Sequence, residues 1–144
     1  MGFIDYIIEK IFGLKQIKRI QVDSQVIDEI IETARNVHPR EFAALLEGKV
    51  VDESLNVKGL IFLPGETSNE GAVMQTLMLP PFASTIGSVH SHPTPNNNPS
   101  REDLHFFSKN GLFHMIIAYP YREDTIASYD RYGNKITFEI LKGL

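Results

Sequence analysis

The stretch from His90 to Asp103 reads His-Ser-His-Pro-Thr-Pro-Asn-Asn-Asn-Pro-Ser-Arg-Glu-Asp. More than any other segment, it constrains what this chain can fold into. Alternate side chains of a β-strand share a face, so His90 and His92 on a strand would project together. Prolines at 93, 95 and 99 stiffen the connection that follows and lower the entropy lost in holding one geometry. Ser100 to Asp103 then has the form of a helix start, with Ser100 as cap and an acid at the third helical position. In that first turn Asp103 would carry its charge toward the histidines. Two imidazoles and one carboxylate leave a tetrahedral zinc with one open position, the arrangement of a catalytic rather than a structural site.

Each piece also has a plainer reading. Ser100 and Asp103 alone make an ordinary capping box, and a lone sheet histidine is commonly just hydrogen-bonded. Two histidines on one strand face, among Gly, Ser and Pro, gain nothing obvious from packing, and their combination with Asp103 favours a metal. His105, two residues past Asp103 on the same helix, lies off its face. His114 sits in an apolar strand. Both are expected to be structural.

Composition narrows the chemistry. The chain has 144 residues, enough for one domain with its own core. A net charge of -4 offers no basic excess for nucleic acid. There are no cysteines, which excludes disulfides, thiolate zinc sites and a cysteine nucleophile. It also excludes the zinc nucleotide deaminases, which need cysteine ligands. Absent disulfides fit a cytoplasmic protein. No apolar run approaches the length of a membrane span.

Along the chain, residues 3–12 carry apolar side chains at 3, 4, 7, 8, 11 and 12, one stripe of a short helix. That helix packs on its own domain, docks a partner or second copy, or lies on a membrane surface. The chain starts Met-Gly, but Tyr6 stands where myristoylation wants Ser or Thr, so no lipidation is expected. Ile20 and Val22 suggest a strand, and a helix capped by Asp23 or Ser24 follows, ending at His38-Pro39. Residues 41–51 and 57–63 read as a hairpin around a turn at 52–56. Residues 64–71 read as a loop and 72–79 as a strand. Residues 82–91 lead through Ile86 and Val89 into the histidine strand, and further strands are expected at 112–119, 126–129 and 135–141, with a helix over 100–109. The pattern predicts one mixed α/β domain, helices flanking a mainly antiparallel sheet.

A hydrolytic metal site needs a general base, which a carboxylate from a separate element would supply. Glu41 and Glu47 are the candidates. They share a strand face but lie roughly 20 Å apart along an extended strand, so only one can serve. Spacing alone does not choose between them.

His90-Ser91-His92, Ser100 and Asp103 at these spacings resemble the JAMM motif of the MPN+ (JAB domain) metalloprotease family. The segment from Pro39 to Gly48 resembles that family's glutamate-bearing strand, and the match selects Glu41 over Glu47. Ala44 departs from it, standing where the family usually has glycine. The resemblance covers residues 20–141, leaving 1–19 as a helix and connector outside the common core. The lack of large insertions suits a compact prokaryotic member.

The resemblance implies the JAMM/MPN (cytidine-deaminase-like) fold and one Zn2+ per chain, held by His90, His92 and Asp103. It implies Glu41 as general base and Ser100 as donor to the oxyanion. It implies an isopeptidase or peptidase that hydrolyses the bond after the C-terminal Gly-Gly of a ubiquitin-like protein. Two alternatives accompany that reading: processing of a sulfur-carrier or other small-protein precursor by the same chemistry, and a non-catalytic scaffold, against which the complete residue set argues.

Overall fold

The chain is described here from a computed structural model covering residues 17–62 and 85–144. The expectations for residues 3–12, 64–71 and 72–79 lie outside these residues. The first strand, β1 (Arg19–Asp23), runs directly into helix α1 (Ser24–Val37). The Asp23 carboxylate accepts from the Gln25 amide and caps the helix. Val26, Ile27, Ile30 and Ala34 make its buried stripe, and the helix stops at His38, before Pro39.

A hairpin follows, β2 (Ala43–Val51) and β3 (Ser54–Ile61), around a turn of only Asp52 and Glu53. The turn is tighter than the expected 52–56. Asp52 adopts a left-handed φ of 54°, which Asp tolerates better than most residues. β4 (Thr85–His92), helix α2 (Arg101–Lys109) and β5 (Phe113–Ala118) form a parallel crossover unit. Two more strands, β6 (Ile126–Asp130) and β7 (Lys135–Ile136), continue antiparallel, and β8 (Glu139–Leu141) closes the order β7-β6-β5-β4-β2-β3-β1-β8.

The sheet is more mixed than the strand pattern suggests. Among the described residues four pairings are antiparallel and three parallel. The expected strand over 135–141 is two strands, separated only by Thr137 and Phe138, and they occupy opposite edges of the sheet. The sheet therefore curls until its edges approach each other. Phe138 helps close the seam, packing edge-on against Phe113 at 5.9 Å between ring centres.

Strand alternation divides the core in two. One face of the sheet carries Phe42, Ala44, Leu46, Val89, Phe113, Met115 and Ile117 against α1. Ala44, the departure from the family pattern, is fully buried there. The other face carries Ala43, Leu45, Ile116, Ala127 and Tyr129 against Phe106 and Phe107 of α2. Burying side chains of this size contributes about 1.5–3 kcal/mol each, so both helices are held firmly. Gly87 lets β4 approach β5: a Cβ there would lie 1.6 Å from the Phe113 carbonyl oxygen. That close pairing sets His90 beside Ile116 and His92 beside Ala118.

His114 is structural, as expected. It is fully buried, stacks on Phe107 at 4.3 Å, and lies 2.7 Å from the Ser88 hydroxyl and 3.3 Å from the Gly111 carbonyl. Burial pushes it down from its ordinary 6.5 to about 4. Between those values the unfolded chain binds the proton and the folded chain does not, so stability falls as pH drops through that window. The loss amounts to about 3 kcal/mol. Denaturant midpoints measured from pH 7 to pH 4.5 should fall for the wild type and fall less steeply for His114→Gln. Equal slopes would refute this account.

Candidate metal centre

β4 delivers two histidines to one face of the sheet, as the alternation of a strand requires. His90 is buried and His92 half-buried at the strand's end. Asp103 comes from the third position of α2, also buried. The Nε2 atoms of His90 and His92 are 3.1 Å apart. Asp103 Oδ1 lies 3.2 Å from His90 Nε2, and Asp103 Oδ2 lies 3.4 Å from His92 Nε2. Zinc–nitrogen bonds of about 2.0–2.1 Å in a tetrahedron would hold ligand atoms about 3.3 Å apart. The spacings among the three side chains are thus those a zinc-sized site needs, with one Asp103 oxygen facing each histidine. His90, His92 and Asp103 are the only cluster of this kind among the described residues.

Their surroundings prepare them for a cation. His92 Nδ1 lies 2.8 Å from the Asn96 carbonyl oxygen, and a carbonyl can only accept. The proton is therefore on Nδ1, and the Nε2 lone pair faces His90 and Asp103. Burial pulls the His92 pKa down, but Asp103, the Asn96 carbonyl and the Glu41 charge outweigh it and raise it above its ordinary value. Burial likewise pushes Asp103 up, yet its contacts with His90 and His92 hold the carboxyl well below the usual carboxylate range. Asp103 stays ionised and attracts positive charge, whether proton or metal.

Ser100 and Asp103 form a reciprocal capping box. The Asp103 amide donates to Ser100 Oγ at 3.1 Å, and the Ser100 amide donates to Asp103 Oδ2 at 2.9 Å. The two readings of this pair are thus compatible: the cap aims the carboxylate at the histidines. Ser100 is exposed, and while its oxygen accepts from Asp103 its own O–H proton can be given elsewhere.

Glu41 lies two residues before Ala43, which pairs with His90 across the β2–β4 ladder. Two steps along a strand preserve the face, so Glu41 sits on the histidines' side, near His92. Its charge acts on His92 and also, after burial, on the Tyr121 phenol, which is pushed up. Glu47 pairs with Thr85 at the far end of β4, beyond a register shift. The geometry brings Glu41 to the cluster and leaves Glu47 away from it. His105 is exposed on α2, outside the cluster.

Sequence reasoning missed several supports. Ser91, between the histidines, points to the opposite face, and its buried hydroxyl accepts from the Phe42 amide at 2.9 Å. It fastens the strand end beside Glu41 to the strand that carries the two histidines. The signal was available: a serine forced inward by alternation must find a partner. Asn96 acts through its backbone carbonyl, which no residue type announces. His38, three residues before Glu41, hydrogen-bonds the Tyr121 hydroxyl at 2.7 Å and stacks on Tyr119.

Comparison with known proteins agrees with this geometry. Residues 23–132 match the family described as prokaryotic homologs of the JAB domain. The chain is 28% identical over 139 residues to a probable metalloprotease of Haloferax volcanii, a match spanning 92% of this chain and 84% of that one. Its fold is similar to that of a JAB1/MPN domain protein from Archaeoglobus fulgidus, with a TM-score of 0.66 and 31% identity over 87% of this chain and 99% of that one. It is also similar to a structure described as JAMM, a metalloprotease-like zinc site in the proteasome and signalosome. There the TM-score is 0.65 and the identity 33%, covering 87% of this chain and all of that one.

Ligand atoms that compete for protons lose metal in acid. Because the His92 pKa is raised above 6.5, zinc affinity should already weaken as pH falls through neutrality. Competition titrations with a chromogenic chelator at pH 8, 7 and 6 would measure this. His92→Ala and Asp103→Ala should each abolish stoichiometric binding at pH 7; retention of wild-type affinity by either would remove that residue from the ligand set.

Proposed function

The chain belongs to the prokaryotic JAB-domain family, and from that premise we propose that it is a zinc-dependent peptidase acting after the C-terminal Gly-Gly of a ubiquitin-like protein. One observation carries the reading: two imidazole nitrogens 3.1 Å apart, each 3.2–3.4 Å from an oxygen of the Asp103 carboxylate, with Glu41 on the same sheet face. His90, His92 and Asp103 would hold the metal, leaving the fourth corner open to water or substrate. A zinc ion there supplies Lewis acidity and brings the pKa of water to about 7.

The protein's own residues divide the remaining work. Glu41 takes the proton of the attacking water and passes it to the leaving amine. Ser100 donates its hydroxyl proton to the oxyanion of the tetrahedral intermediate while Asp103 keeps the oxygen in place. Asp103 would hold the metal as a carboxylate. An extended Gly-Gly tail has no side chains to obstruct it, and such a tail can lie along a sheet edge as an added strand. Action in the cytoplasm belongs to the same proposal, since a chain without cysteine needs no oxidising compartment. No helix among the described residues is long and apolar enough to cross a membrane.

The test is cleavage of two substrate sets, isopeptide conjugates of ubiquitin-like proteins and their C-terminally extended precursors, with and without chelator. Cleavage of precursors alone would identify a processing enzyme. Glu41→Gln should keep zinc and lose about 10²- to 10⁴-fold in turnover. Ser100→Ala should lose about 10²- to 10³-fold. Full activity in Glu41→Gln would overturn the base assignment, and chelator-resistant cleavage would overturn the zinc mechanism.

A further inference from the structure

The loop from Pro93 to Pro99 holds the carbonyl that orients His92, so whatever holds the loop acts on the metal ligand. The loop is tied down at three points. The Thr94 carbonyl accepts from the Tyr119 amide at 3.1 Å. The Asn97 side chain donates to the Thr125 carbonyl at 3.1 Å. The Asn97 carbonyl accepts from the Tyr129 hydroxyl at 2.8 Å.

Tyr129 differs from the other two ties because it touches the supports of two of the site's side chains at once. Its side chain is buried in β6, and its ring stacks at 6.1 Å on Phe107, which lies one turn beyond Asp103 in α2. Its hydroxyl meanwhile grips Asn97, adjacent to the Asn96 carbonyl that fixes the His92 ring. One side chain therefore sets the spacing between the helix that carries Asp103 and the loop that aims His92. Burial pushes its phenol up, so the hydroxyl stays a hydrogen-bond donor at neutral pH.

We infer that Tyr129 is a positioning residue for the metal centre, its hydroxyl holding the loop so that the His92 lone pair faces Asp103. The inference rests on the metal-site reading but requires no enzymatic activity. Partners that orient a ligating histidine typically matter about 10- to 100-fold in metal affinity. Tyr129→Phe deletes only the hydroxyl and leaves the ring against Phe107.

Zinc affinity by chelator competition, together with the visible spectrum of a cobalt-substituted sample, reads the effect. Tyr129→Phe should bind zinc about 10- to 100-fold more weakly and show an altered cobalt spectrum. Tyr132→Phe, on the exposed turn, should match the wild type in both. Tyr129→Met, which also lacks the hydroxyl while still filling apolar core space, supplies the test if Tyr129→Phe fails to fold. Wild-type affinity in folded Tyr129→Phe would overturn the inference, as would wild-type affinity in Tyr129→Met should that variant become the test. Failure of the wild type itself to bind zinc would instead overturn the metal-site reading.

Discussion

The antiparallel register of β2 on β4 is the constraint on which the site depends. It places Ala43 against His90 and so brings the approach to Glu41 beside His92. A slip of one residue would send Glu41 to the α1 face and Phe42 into the polar site, since side-chain direction alternates strictly. Two interactions prevent the slip. Phe42, Ala44 and Leu46 are committed to the core under α1, and Ser91 holds Phe42 through both its amide and its hydroxyl. In an ordinary antiparallel pair the Phe42 amide would seek a main-chain carbonyl; here it donates to a side chain. The residue between the two histidines is thus not a spacer, because it anchors the element that carries the carboxylate.

The helical half of the site is built with similar economy. Asp103 must be ionised and buried, a costly combination unless the charge is hydrogen-bonded. The Ser100 amide supplies one bond, and the start of α2 supplies a favourable field for negative charge. The same arrangement leaves the Ser100 hydroxyl at the surface with its proton uncommitted to Asp103. Helix capping therefore aims the carboxylate at the histidines and leaves a hydroxyl proton free through one local motif, so the structural and chemical readings of residues 100–103 are compatible.

Much of this was legible because it follows from periodicity and residue type. Alternation put His90 and His92 together, the Ser100–Asp103 spacing announced a helix start, and Asp23 and Pro39 marked the bounds of α1. Spacing alone did not choose between Glu41 and Glu47. The family resemblance chose Glu41, and what places it on the histidines' face is the pairing of β2 with β4, two strands distant in the chain. The split of 135–141 was illegible for a related reason. No local preference tells two residues at 137–138 that the sheet has curled and its opposite edge is within reach. Tyr129 reads as an ordinary core aromatic, and nothing in its neighbours shows that its hydroxyl ends on Asn97.

These long-range contacts matter because three polar groups must be held close together in a largely buried place. A buried carboxylate is costly unless donors or positive charge lie beside it, and the two histidines meet that need only while the fold keeps them there. The Asn96 carbonyl fixes one imidazole, the capping box fixes the carboxylate, and strand β4 carries both histidines. Their spacing is thus held by the fold itself, and entropy that a flexible site would lose on binding a cation has already been spent in folding. The raised His92 pKa expresses the same fact, since a proton is the smallest cation that answers the Asp103 charge. A metal would answer it by binding all three groups at once, so folding stability and metal affinity would draw on the same set of contacts.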